Sequence, residues 1–168
     1  MTAWPRAEWQ LAIAPPSGSG HVDGSRIGVR PVPGELQVYR GAAWAQPATD
    51  MVEASVLRVL EDSGKLAGVG GLATGLRADY RRLMDVRRFE ADYRGGSLPA
   101  ATLEISATLL DNSRQRSVAH HTFTRVQPAA ATDVASVAYA FDQALAAVAT
   151  DIAGWTLVQG HADRQSRP

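Results

Sequence analysis

Tyr80-Arg81-Arg82-Leu83-Met84-Asp85-Val86-Arg87-Arg88-Phe89 is the stretch on which the architecture turns, because it reads as a strand with apolar side chains on both parities. Tyr80, Met84 and Val86 share one face and Leu83 and Phe89 the other, the pattern of a strand covered on both sides or passing from core to rim. Such a strand belongs at the centre of a sheet. Downstream, Leu103, Ile105, Ala107 and Leu109 alternate with Glu104, Ser106 and Thr108 in period two. Asp111, Asn112 and Ser113 then supply turn chemistry, which predicts a hairpin. Its return strand, Arg116 to Val126, carries Val118 and Phe123 on opposite parities. If both face the core, a bulge near His120 and His121 absorbs one residue.

Upstream, the glycine-rich run from Lys65 to Gly75 reads as a short strand ending in a loose turn. Before it, Asp50 with Glu53 resembles a capping box, and Val52, Val56, Val59 and Leu60 recur at helical spacing until Ser63 and Gly64. Arg26 to Val32 reads as a strand that turns at Pro33 and Gly34 into Leu36 to Tyr39. Pro31 cannot donate to a ladder, so that strand should lie at an edge or end near it. Trp9 to Ala14 reads as an edge strand. At the other end, Thr132 or Asp133 caps a helix with Val134, Val137, Phe141, Leu145, Val148, Ile152 and Trp155 on one stripe, about 33 Å long over roughly 22 residues.

The expected order is therefore β β α β β β β α. The expected fold class is α+β: a mixed β-sheet with two amphipathic helices packed on one face, a single-domain α/β sandwich spanning residues 1–158. Residues 159–168 read as a polar disordered tail.

Composition narrows function. Of 168 residues, 45% are apolar and 20% charged, so a buried core is affordable and the signature of disorder is absent. Seventeen basic residues balance seventeen acidic ones, which removes the field that would hold a polyanion, and no nucleic acid partner is expected. The chain contains no cysteine, so thiolate nucleophiles and thiolate metal sites are excluded. Val134 to Trp155 is interrupted by Asp142 and Asp151 and is not expected to span a membrane.

His21, His120, His121 and His161 do not stand at metal-ligand spacing, and no dinucleotide fingerprint, phosphate loop or nucleophile elbow occurs, so neither metal, cofactor nor catalytic residue is expected. Adjacent His120 and His121 should point to opposite faces of their strand, one solvated and one packed. The group Arg81, Arg82, Arg87, Arg88 with Asp79, Asp85, Glu90 and Asp92 reads as cross-strand ion pairing on a wetted sheet face. Arginines beside Tyr80, Phe89 and Tyr93 are also the mixture enriched at protein interfaces. Tyr39, Arg40 and Trp44 form either an aromatic plug over the core or an anchor for a partner. The candidate docking residues are thus Tyr39, Arg40, Trp44, Arg87, Arg88 and Tyr93.

The order Val38-Tyr39-Arg40-Gly41-Ala42-Ala43-Trp44, Leu60-Glu61-Asp62-Ser63-Gly64, Ala78-Asp79-Tyr80 and Asp85-Val86-Arg87-Arg88-Phe89-Glu90 resembles the ABC-type transport auxiliary lipoprotein family. Leu103 to Asp111, Phe123 and Ala140-Phe141-Asp142-Gln143-Ala144-Leu145 continue the resemblance, which covers roughly residues 9 to 157. It implies a periplasmic lipoprotein of Gram-negative bacteria, held at the outer membrane through a lipidated cysteine upstream of Trp9. It further implies work beside mammalian-cell-entry-type transport proteins and an ABC permease in lipid or hydrophobic-solute transport. The family offers no catalytic residues to carry over, so the implied role is a non-enzymatic adaptor, and a homo-oligomer is expected. The competing expectation is a direct carrier of lipid or another apolar ligand, which predicts a pocket lined by Met84, Phe141 and Leu145.

Overall fold

The computed structural model describes residues 4–18, 24, 26–32, 35–71 and 78–167. Strands β1 (Ala7–Ile13), β2 (Ser17–Gly18), β3 (Arg26–Val32) and β4 (Glu35–Ala43) precede helix α1 (Ala48–Ser63). Strands β5 (Leu66–Gly71), β6 (Tyr80–Asp92), β7 (Ala100–Asp111) and β8 (Arg116–Pro128) and helix α2 (Val134–Gln165) follow. The result is an α+β fold in which an eight-stranded mixed sheet carries both helices.

Strand β6 is the hub, the central position expected for it, although of the apolar residues from Tyr80 to Phe89 only Leu83 turns to the second face. One of its edges pairs antiparallel with β7, which pairs in turn with β8. Along its other edge β1, β2 and β3 follow one another, all parallel: Leu11–Ile13 lie against Tyr80–Arg82, Ser17–Gly18 against Asp85–Val86, and Gly28–Arg30 against Glu90–Asp92. The expectation of an edge position for the first strand is corrected. β1 is interior, because β5 adds in parallel to its free side, Gln10 opposite Gly68 and Ile13 opposite Gly71. A glycine-rich strand makes that pairing through backbone alone, so its side-chain pattern does not advertise it. Pro31 falls just beyond Arg30, where pairing with β6 stops, and inside an irregular stretch of the β3–β4 ladder. It therefore removes no ladder bond.

Two bulges set which side chains face the helices. In β6, Val86 lies opposite Ile105 and Arg88 opposite Glu104, leaving Arg87 as the extra residue. The bulge switches phase. Phe89, expected opposite Tyr80 and Met84, therefore lies on their face and stacks on Phe141 of α2 with ring centroids 5.0 Å apart. In β8 the extra residue is Val118, since Leu109 faces Ala119 and Leu110 faces Ser117, so the expected bulge lies two residues before His120. Phe123 then falls opposite Ile105 and meets Trp155 of α2 edge to face at 5.7 Å.

Helix α1 starts after Pro47 without a side-chain cap, so the Asp50–Glu53 capping box is not formed. Asp50 instead sits in the first turn, where its charge complements the helix dipole. Gly64, with φ 64°, closes the helix in the left-handed conformation. Asp133 caps α2 by accepting from the Ser136 N–H at 3.1 Å and the Ser136 hydroxyl at 2.7 Å.

The tail expected from residue 159 is corrected: α2 continues to Gln165, 32 residues or about 48 Å. Its last turns are tied to the sheet by buried polar groups. The Tyr80 hydroxyl donates to Asp163 Oδ2 at 2.5 Å, and Arg167 donates to Asp163 Oδ2 at 3.0 Å, Asp111 Oδ2 at 2.5 Å and the Tyr80 oxygen at 3.1 Å. Burial, then the bond to Asp163, pushes the Tyr80 phenol up to about 12, so it stays a donor. Burial alone raises the Asp111 carboxyl, but the Ser113 hydroxyl, the N–H groups of Arg114 and Ser113 and the Arg167 guanidinium outweigh it and hold it below the usual carboxylate range.

A depressed carboxyl stabilises the fold above its unfolded-state value and loses that contribution as pH falls through its folded-state value. Asp111→Asn is accordingly expected to cost about 1–3 kcal/mol at neutral pH, with the gap from wild type shrinking in acid. Urea melts at about pH 7 and about pH 3 read this directly. A gap unchanged between them contradicts the assignment.

Candidate docking surface

On the face of the sheet away from the helices, the bulge at Arg87 lines up Arg88, Glu90 and Asp92, and β3 brings Arg30 beside them. Arg30 Nε lies 2.5 Å from Glu90 Oε2. Arg88 reaches the same oxygen at 3.2 Å and Asp92 at 2.8 Å. Burial would raise the Glu90 carboxyl, but hydrogen bonds from Arg30 and Arg88 outweigh it and hold the group below its ordinary value. The group is a polar lattice with its charges already mutually oriented: the carboxylates of Glu90 and Asp92 are buried, and the guanidinium groups of Arg30 and Arg88 lie over them partly exposed. On the same face two separate pairs bridge β7 and β8, Ser106 with Thr122 at 2.9 Å and Thr108 with His120 at 2.8 Å.

The candidate residues distribute unevenly around the lattice. Arg88 belongs to it with about a third of its side chain exposed. Arg87 projects from the bulge, half exposed, and among the described residues its one ion pair is a long contact of 3.5 Å to Asp85. Tyr93 is half-buried and packs against the hydrophobic core, while its N–H donates to the Arg30 carbonyl at 3.0 Å. Trp44 lies on the opposite side of the sheet, edge to face on Phe89 at 5.8 Å and on Phe141 at 5.0 Å, the plug of the two alternatives read from sequence. Tyr39 and Arg40 fall in β4, but their side chains lie outside the described residues. Met84, Phe141 and Leu145 are all buried in the hydrophobic core. His120 and His121 are both exposed, the latter edge to face on Phe123 at 4.6 Å, so the expected packed histidine is not found.

Sequence reasoning missed Arg30, whose role appears only once β3 is known to run parallel to β6. It also missed a cavity of about 240 Å³ at the opposite end of the molecule, lined by Arg6, Glu8, Trp9, His161, Arg164 and Gln165. Three of those residues, His161, Arg164 and Gln165, lie in the segment read as a tail. Among the described residues no three histidines or carboxylates converge as a metal site would require.

A family model described as the ABC-type transport auxiliary lipoprotein component matches residues 2–153. A crystal structure of a protein from Xanthomonas campestris is 57% identical, with TM-score 0.94, covering 98% of this chain and 92% of that one. The PelC dodecamer from Paraburkholderia phytofirmans shares the fold at TM-score 0.53 and 16% identity, over 94% of this chain and 93% of that one. So does a protein from Chlamydia trachomatis, at TM-score 0.59 and 10% identity, over 90% and 99%. No functionally curated protein matches the chain.

Proposed function

The chain belongs to the family of ABC-type transport auxiliary lipoprotein components, and from that premise we propose that it is a non-catalytic adaptor between envelope components of a lipid or hydrophobic-solute transporter. In this reading it works in the periplasm of a Gram-negative cell, held at the outer membrane by a lipidated cysteine. It docks a mammalian-cell-entry-type transport protein or the ABC permease complex and assembles as a homo-oligomer, requiring no cofactor. A dodecameric fold relative is compatible with assembly, as an analogy of fold alone.

The observation that carries the adaptor role is the Arg30–Glu90–Arg88–Asp92 lattice, on the face of β6 opposite the one that Phe89 turns to α2, where Arg30 and Arg88 stay partly exposed over a buried Glu90. Charges fixed before binding lower the ordering cost of association and select partners by complementarity. The carrier alternative would need an enclosed pocket between Met84, Phe141 and Leu145, which are 4%, 1% and 7% exposed in the hydrophobic core.

The test uses Arg87→Glu, because Arg87 is half exposed and among the described residues holds one long ion pair. Co-purification with the mammalian-cell-entry-type protein is expected to weaken about tenfold while the thermal melt stays in place. Undiminished capture of the partner contradicts the proposed docking face.

A further inference from the structure

The beginning of β1 and the end of α2 meet at the end of the sheet where the chain enters the fold. The Ala7 N–H donates to the Lys65 carbonyl at 2.6 Å, and Arg164 on α2 lies 3.3 Å from Asp79. The cavity of about 240 Å³ described above opens there. Its floor is Trp9, which is 4% exposed and held edge to face by Tyr80 at 4.9 Å. Its walls supply two guanidinium groups, Arg6 and Arg164, an imidazole, His161, and one carboxylate, Glu8.

Arg164 is fixed in place. Its guanidinium lies over the Tyr80 ring, 5.4 Å from the centroid, with one terminal nitrogen turned to Asp79 and with Nε buried and lacking a partner among the described residues. The side chains of Arg6 and Glu8 make neither ion pair nor hydrogen bond among the described residues, and both are exposed. Guanidinium groups present planar, multi-donor edges matched to tetrahedral oxyanions. A nearby unengaged carboxylate suits an ammonium carried by the same ligand.

We propose that this cavity binds a phosphate group, either the headgroup phosphate of a phospholipid or a free phosphate, with Glu8 receiving the ammonium where the ester is ethanolamine. Arg6 and Arg164 contact the phosphate oxygens and His161 closes the rim. The membrane source rests on the anchoring proposed above, since the cavity sits at the end from which an N-terminal anchor runs to the bilayer. The phosphate chemistry does not rest on it.

The test is nitrogen-detected NMR of the 168-residue chain. It is titrated with inorganic phosphate, with glycerophosphoethanolamine, and with vesicles of phosphatidylethanolamine and phosphatidylglycerol. Saturable shifts are expected at the Trp9 indole and the Gln165 amide. Arg6→Ala, an exposed position whose loss spares the fold, is expected to weaken binding about tenfold. Tighter binding of the glycerophosphate ester than of inorganic phosphate, with vesicle capture that falls in Arg6→Ala, supports the proposal with the headgroup as source. Equal binding of the two soluble compounds supports it with free phosphate as source. Absence of saturable shifts with all three, or shifts indifferent to Arg6→Ala, overturns it. Partner capture by the Arg87→Glu variant is a separate readout, so failure of the cavity and failure of the adaptor role are told apart.

Discussion

Gly160→Ala is expected to lower the stability of the fold by about 2 kcal/mol, although alanine is the better helix former by about 1 kcal/mol. A Cβ at Gly160 meets Trp9 Cζ2 at 2.3 Å and Cη2 at 2.6 Å. The indole cannot retreat: it is 4% exposed and wedged against Tyr80. Overpacking of this kind costs about 1–3 kcal/mol and occasionally more, which outweighs the propensity gained. Gly154→Ala is the control. Its Cβ meets Trp4 Nε1 at 2.6 Å, but Trp4 is only half-buried near the start of the described chain and can swing aside, so the change is expected to lie near neutral. Urea denaturation reads both variants, and Gly160→Ala in a Trp9→Leu background should recover part of the loss as a coupling of about 1 kcal/mol or more. Equal effects at the two glycines contradict the role given to Trp9.

Arg82→Met is expected to raise stability by about 1–4 kcal/mol. Arg82 is fully buried on the helix side of β6, in register with Ile13 on β1 and Leu109 on β7. None of its three guanidinium nitrogens has a hydrogen-bond partner among the described residues. Desolvation dominates its electrostatics, with Glu53 of α1 giving only partial compensation, and pushes the guanidinium down to about 9. Desolvation of Glu53 itself, then the neighbouring Asp50 charge, raises the Glu53 carboxyl despite the opposing pull of Arg82. Methionine keeps the length of the aliphatic stem and discards the charge.

The sign follows with pH. A cation whose folded-state value is depressed penalises the fold below that value, and the penalty is relieved as pH rises from about 9 toward the unfolded-state range. The advantage of Arg82→Met should therefore be full at neutral pH and narrow above about pH 9. A variant less stable than wild type at neutral pH contradicts the account of Arg82 as an uncompensated core charge.

The fold was legible wherever side chains carry it. The two-parity pattern of Tyr80 to Phe89 announced the central strand, Leu103 to Leu109 its hairpin partner, and the three-and-four spacing from Val134 the long helix. What failed was carried by backbone or by distant partners. β5 covers β1 through a glycine-rich ladder, and the phase of Phe89 depends on one extra residue at Arg87. The end of α2 and the residues just after it look polar because Asp163, Arg164 and Arg167 serve Tyr80, Asp79 and Asp111, which lie far away in sequence. Gly160 looks like a helix stop and is instead room for Trp9.

The candidate site was half legible. Arg88, Glu90 and Asp92 stand together in the sequence, but Arg30 joins them only through the parallel crossover. Arg6 and Arg164 meet only because both ends of the chain return to one end of the sheet.

Native mass spectrometry of the purified domain tests the adaptor reading most directly, because it reports subunit number and retained lipid in one spectrum. The account predicts a homo-oligomer without acyl lipid held in the subunits, since any headgroup contact leaves the chains in the bilayer. One lipid retained per subunit, or a bare monomer at tens of micromolar protein, contradicts it.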